Sequence, residues 1–132
     1  IWTLDLNRLT RFYIEYFEAS AGPEYTNPRK GYRSRFLSFR SGATIEIATL
    51  NGLTEHLGDT PRAGYAHLAF ATGSIESVDA LTERLRKDGF AVIDGPRRTG
   101  DGFYESAVFD PDGNRMELHE YTASSWQAPS LS

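Results

Sequence analysis

The sequence predicts an α+β fold in which a strand–helix–strand–strand–strand module (βαβββ) occurs twice, forming a cupped mixed β-sheet, and three observations predict it. An apolar stripe at helical spacing (Leu6, Leu9, Phe12 or Tyr13, Tyr16, Phe17) is followed by two alternating runs, 32–39 and 44–49. The same order then returns: a strand over 65–72, a helical stripe of Val78, Leu81 and Leu85, and strands over 90–93, 103–109 and 115–121. Finally, the closing strand of each copy follows a turn glycine, Gly42 in one and Gly113 in the other. Such self-similarity is the signature of an internal repeat.

In chain order, residues 1–4 read as the end of a strand whose beginning lies upstream of Ile1. Asp5 is placed to cap the first helix by accepting from free backbone N–H groups, and that helix should stop before Gly22-Pro23. Residues 25–30, with Asn27-Pro28, read as loop, and Ser41-Gly42 turns a hairpin. The polar, turn-rich stretch 50–64 reads as a linker between module one (1–49) and module two (65–122), with a short tail over 123–132. Ser74 caps the second helix and Gly89 closes it. Asp110-Pro111-Asp112-Gly113-Asn114 is a tight turn before the last strand, and it lacks the closing Glu of a calcium-binding loop.

Composition narrows the function. A chain of 132 residues, 39% hydrophobic, suits one domain with its own core. A formal charge of −4 provides no basic field for nucleic acid or acidic lipid. No apolar run reaches the length of a membrane span, so a cytoplasmic location is the default expectation, with any signal peptide lying before Ile1. The absence of cysteine excludes disulfides, thiolate metal sites and a cysteine nucleophile. Gly100 and Gly102 precede a strand rather than a helix and form no phosphate cradle.

Strand alternation selects the residues that can carry chemistry. With Ile45 and Ile47 packed under a helix, Glu46 points to the other face. With Met116 and Leu118 in the core, Arg115, Glu117 and His119 share the opposite face. With Leu68 and Phe70 as the core pair, His67 lies beside Ala69 and Ala71, which leave room for a ligand. Glu46 and Glu117 each stand four residues after their turn glycine and are repeat equivalents. A lone mid-strand Glu is ordinarily solvated, and a lone His ordinarily a satisfied core residue. Their conjunction at repeat-equivalent positions argues for a mixed O/N site for one divalent metal ion, with Glu46, His67 and Glu117 as ligands. His119 falls nearer the strand end, which favours a place on the rim or behind the ligands over ligation. Tyr104 and Glu105 could line the cavity or equally be strand-surface residues, and His56 would lie exposed in the linker.

The stretches Ala66-His67-Leu68-Ala69-Phe70, Phe109–Leu118 and Ser41–Ile47 resemble the vicinal oxygen chelate superfamily of glyoxalases, bleomycin-resistance proteins and extradiol dioxygenases. Within it, carboxylates at both repeat positions resemble glyoxalase I, whose ligands run His, Glu, His, Glu. The resemblance implies a divalent ion (Ni, Zn, Co, Mn or Fe) and a first His three residues before Ile1. It implies a lyase or isomerase, lactoylglutathione-lyase-like, acting on a small α-hydroxycarbonyl or its thiol adduct, with Glu117 as general base. It also implies a homodimer in which Glu46 meets His67 and Glu117 of a second copy. Trp2 stands where glyoxalase I has an Arg for a glutathione carboxylate, so Trp2, Tyr104, Glu105, Arg115 and His119 are the expected substrate-binding residues. The alternatives on the same fold are a drug-sequestering protein without catalysis, a metal-dependent thiol transferase and a ring-cleaving dioxygenase.

Overall fold

Both helices start where a short polar side chain replaces the missing backbone partners. In a computed structural model describing residues 1–55 and 60–120, Asp5 accepts from the Arg8 N–H and opens α1 (Leu6–Phe17), and Ser74 accepts from the Ser77 N–H and opens α2 (Ile75–Lys87). The first helix ends at Phe17, before Gly22-Pro23 as expected. Glu18 takes a left-handed conformation (φ 54°) and returns its N–H to the Tyr13 carbonyl. The second ends as expected at Gly89, whose φ of 91° suits a residue without Cβ.

The described residues within Ile1–Asp59, together with Asp110–Asn114, form one unit, and those within Thr60–Phe109 and Arg115–Ser132 form another. The first unit holds β1 (Ser20–Ala21), β2 (Tyr25–Asn27), β3 (Tyr32–Ser38) and β4 (Thr44–Leu50). Strands β1 and β2 run successively along one edge of β3, and β4 pairs antiparallel with β3. Residues 25–27 are therefore strand where turn residues suggested loop. Residues 1–4 contribute a parallel bridge, Trp2 to Ala48, rather than a full strand. Leu6, Leu9, Phe12 and Tyr13 bury one face of α1 with Leu37 and Ile47. The turn Asp110–Asn114 closes on itself, with Asp110 accepting from the Asp112 and Asn114 backbone N–H groups. Its Asp112 takes hydrogen bonds from the Thr3 hydroxyl (2.6 Å) and the Arg8 guanidinium (3.0 Å).

The second unit holds β5 (Leu68–Ala71), β6 (Val92–Arg98), β7 (Tyr104–Phe109) and β8 (Arg115–His119) in the order β5-β8-β7-β6, with only β5–β8 parallel. The strand β6 runs farther than the 90–93 expected, and as an edge strand it accommodates Pro96. The strand β5 is shorter than 65–72, so His67 immediately precedes it. Leu68, expected in the core, is 36% exposed, whereas Met116 and Leu118 are fully buried. On α2 the third buried position is Thr82 rather than Leu81. Its hydroxyl donates to the Val78 carbonyl or meets the buried Ser106 hydroxyl at 2.6 Å, so the polar group carries partners into the core.

The repeat is visible in the backbone. The Thr3 N–H donates to the Ala48 carbonyl at 2.9 Å, and the Thr72 N–H donates to the His119 carbonyl at 2.8 Å. Thr3 therefore matches Thr72, and Ile1 matches Phe70. His56 and the tail 123–132 lie outside the described residues, as does Tyr121.

Thr82→Val keeps the shape at the α2–β7 contact but strips Ser106 of its partner. Urea denaturation should show a loss of about 1–3 kcal/mol, largely recovered in Thr82→Val/Ser106→Ala, where both polar groups are gone.

Candidate metal centre on the second sheet

Strand β8 sets the site by alternation. Met116 and Leu118 pack on the α2 side, which turns Arg115, Glu117 and His119 to the opposite face. The neighbouring strands then decide what meets them. Glu117 lies between Ala69 on β5 and Ala107 on β7, while His119 lies between Ala71 and Glu105. Across both ladders Glu117 is flanked by nothing larger than a methyl.

Two imidazoles converge on one oxygen of that carboxylate. His67 Nε2 lies 3.0 Å from Glu117 Oε2, and His119 Nε2 lies 3.1 Å from the same atom. His119 Nε2 also stands 3.2 Å from Glu105 Oε2. Arg115 Nε approaches the other Glu117 oxygen, Oε1, at 3.7 Å. The Phe103 ring meets the His119 ring edge-on at 5.7 Å. Ligand atoms of Glu105, Glu117 and His119 all lie within 4.8 Å of one another. Two carboxylate oxygens and an imidazole nitrogen, half-buried to buried, are a donor set that fits a borderline divalent cation.

The site is electrostatically loaded. Burial, and next the neighbouring Glu117 charge, push the Glu105 carboxyl above its usual range. The backbone around Glu105 is constrained as well. Gly95 on β6 has φ 74°, and a Cβ there would come within 2.6 Å of the Glu105 carbonyl oxygen. A glycine is thus required for β6 to lie so close to β7 at this residue.

Of the residues the sequence singles out, His67, Glu117, His119, Glu105 and Arg115 are brought together in this one unit. His119 is not on a rim: it is 6% exposed, because Ala71, Phe103 and Glu105 surround it. Tyr104 does not share the site face with Glu105. The two alternate along β7, and the Tyr104 hydroxyl donates to Asp79 of α2 at 2.7 Å. Glu46 lies exposed on the first sheet, where its Oε1 accepts from the Tyr32 hydroxyl at 2.9 Å. Trp2 meets the Tyr32 ring edge-on at 6.2 Å and is 55% exposed. The Glu105–His119 pairing is the feature that strand patterns left unstated. Closing the last hairpin at Phe109 and Arg115 sets Glu105 opposite His119, so the turn 110–114 already contains that signal.

Residues 1–118 match the model of the Glyoxalase/Bleomycin resistance protein/Dioxygenase superfamily. The chain belongs to that superfamily. Over 60 residues it is 40% identical to the uncharacterized protein YqjT of Bacillus subtilis, a match covering 43% of this chain and about half (47%) of that one. A glyoxalase I variant from Zea mays superposes with a TM-score of 0.74 at 24% identity, over 90% of this chain and 42% of the maize one. The fosfomycin resistance protein FosX from Listeria monocytogenes, in a variant complexed with Mn(II) and dihydroxypropylphosphonic acid, superposes with a TM-score of 0.68 at 24% identity. That match covers 94% of this chain and 90% of FosX. At these identities the likeness is one of fold. Among the described residues, no helix is long and apolar enough to cross a membrane.

Because the Glu105 carboxyl is raised in the folded state, its charge opposes folding at neutral pH, and that penalty disappears as pH falls through the folded pKa. Glu105→Gln should therefore raise the melting temperature of metal-free protein at pH 7, with the gain shrinking toward pH 4. Thermal denaturation in chelator at the two pH values checks the sign.

Proposed function

We propose that the protein is a divalent-metal-dependent lyase or isomerase of glyoxalase type, acting on a small α-hydroxycarbonyl or its thiol adduct. The observation that carries this reading is the Glu117 carboxylate, bracketed by His67 and His119 on a face cleared by Ala69 and Ala107. Superfamily membership supports it, and FosX supplies a relative bound to Mn(II).

His67 and Glu117 would hold the ion, with Glu46 of a second copy as a further donor in a homodimer. When bound, a divalent cation supplies electrostatic stabilisation of the oxygen charge that builds as a proton leaves carbon. The protein's own residues do the rest. Glu117 Oε2, the oxygen that both imidazoles face, would be turned to the ion, which leaves Oε1, the oxygen nearer Arg115, to accept a proton from carbon and return it to the adjacent carbon. Arg115 is placed to orient an anionic or carbonyl group of the substrate beside that oxygen. Trp2 of a second copy would offer an exposed indole, which suits a thiol or side group that stacks on it.

Metal-loaded protein assayed with methylglyoxal and a panel of thiols should show turnover with at least one thiol. Glu117→Gln should lower kcat by about 10²–10⁴-fold while the far-ultraviolet dichroism is retained. Full turnover by that variant would remove Glu117 as the base. Tight binding of an aromatic antibiotic by protein that takes up no metal would assign drug sequestration instead.

A further inference from the structure

The first sheet turns a group of aromatic side chains to solvent on the face opposite α1. Leu37 and Ile47 are fully buried under that helix, so Phe36 and Glu46, which stand opposite each other across β3 and β4, point the other way. Ser34 pairs with Ala48 on the same face, and Trp2 and Tyr25 flank that pair, giving a row Trp2–Ala48–Ser34–Tyr25 across the sheet. Three strand spacings, about 14 Å, separate the ends of the row. The Tyr32 ring stands 6.2 Å from the Trp2 ring and 6.2 Å from the Tyr25 ring, at interplanar angles of 89° and 60°. Its hydroxyl donates to Glu46 Oε1 at 2.9 Å. Trp2, Tyr25 and Phe36 are each more than half exposed, whereas Ala48 and Ser34 are buried.

The repeat makes these rings specific to the first unit. Matching Thr3 with Thr72 sets Trp2 against Ala71, and matching Glu46 with Glu117 sets Phe36 against Ala107. Two positions that carry a methyl in the second unit therefore carry a large ring in the first. Clustered rings left in water forgo the gain of burial, which marks a face built to be covered. Rings at steep angles to one another offer an inserted flat ring both faces and edges, the contacts that aromatic pairs prefer. Complete cover by a dry protein surface would strand the Glu46 carboxylate, whereas a small molecule whose oxygens rest on an ion served by Glu46 leaves it paired.

We infer that this face binds an aryl group, so that the substrate is an aryl-substituted α-hydroxycarbonyl, or its thiol adduct, rather than one with a short alkyl group. The inference rests on the glyoxalase-type reading, in which Glu46 of a second copy serves the ion, and deepens it by naming the substituent beside the reacting carbons. Phe36 stands opposite Glu46 and Tyr32 is bonded to it, so these two rings flank the group nearest that donor. Phe36 is then the specificity-determining residue, and Trp2 and Tyr25 extend the aromatic surface one row farther along the strands.

Steady-state kinetics of metal-loaded protein, with one thiol and either phenylglyoxal or methylglyoxal, test this. The kcat/KM for phenylglyoxal should exceed that for methylglyoxal by about tenfold or more. Phe36→Leu should lower that ratio by about tenfold, and Phe36→Tyr, which keeps the ring, should preserve it. The position is exposed, so neither substitution touches the core. Binding is read separately in Trp126→Phe protein, where Trp2 is the one remaining indole. Mandelate should quench its fluorescence at concentrations where lactate does not. A ratio at or below one, or a ratio unmoved by Phe36→Leu, would overturn the inference and leave the glyoxalase-type reading standing. Phe36→Leu protein that dissociates in sedimentation while the ratio stays unmoved would assign the face to a second copy instead. No turnover of either carbonyl compound would remove the glyoxalase-type reading, and mandelate quenching would then decide whether the aryl site stands.

Discussion

The site depends on the two-residue period of one five-residue strand. Because Met116 and Leu118 are fully buried on the α2 side, Glu117 and His119 have only the other face available. Burial of two large apolar side chains is worth several kcal/mol, far more than the cost of facing a carboxylate toward an imidazole. A one-residue slip of β8 would exchange the two sets and put a carboxylate in the core. The apolar pair therefore fixes the polar pair. The parallel ladder to β5 and the antiparallel ladder to β7 then bring His67 and Glu105 to it.

The same constraint explains what the sequence makes legible. Apolar spacing on β8 and β4 gives the faces of Glu117 and Glu46 directly, and the turn glycines give their equivalence. The repeat read from the sequence reappears as matched hydrogen bonds at Thr3 and Thr72, because parallel pairing to the closing strand fixes the register in each copy. Other features were less legible for definable reasons. Residues 25–27 carry turn-type composition but pair with β3, a tertiary contact that local propensity does not encode. Thr82 is polar by type and buried in fact, because the Val78 carbonyl and the Ser106 hydroxyl satisfy it. Leu68 is apolar and exposed at the start of a short strand. The pairing of Glu105 with His119 required counting across a hairpin, not along one strand.

A cluster of two half-buried carboxylates and two imidazoles is not what stability alone would select. Burial and the neighbouring charge both act against ionised Glu105, and β6 needs a glycine to approach it. By contrast, the acids Glu24 and Asp94 are held low by hydrogen bonds from Arg33 and Arg97. Local cost concentrated on one sheet face, beside small residues and at the end of a well-packed strand, is the usual signature of a functional centre. The superfamily match places the chain among proteins built on this fold.

The central claim is that Glu117 and His67, with His119 beside them, hold a divalent metal ion. Nitrogen-detected histidine NMR during addition of one equivalent of Zn(II) tests it most directly. The account predicts that the Nε2 resonances of His67 and His119 shift together and saturate at one equivalent, and that Glu117→Gln abolishes the saturation. Unchanged Nε2 resonances for both residues at saturating Zn(II) would contradict it.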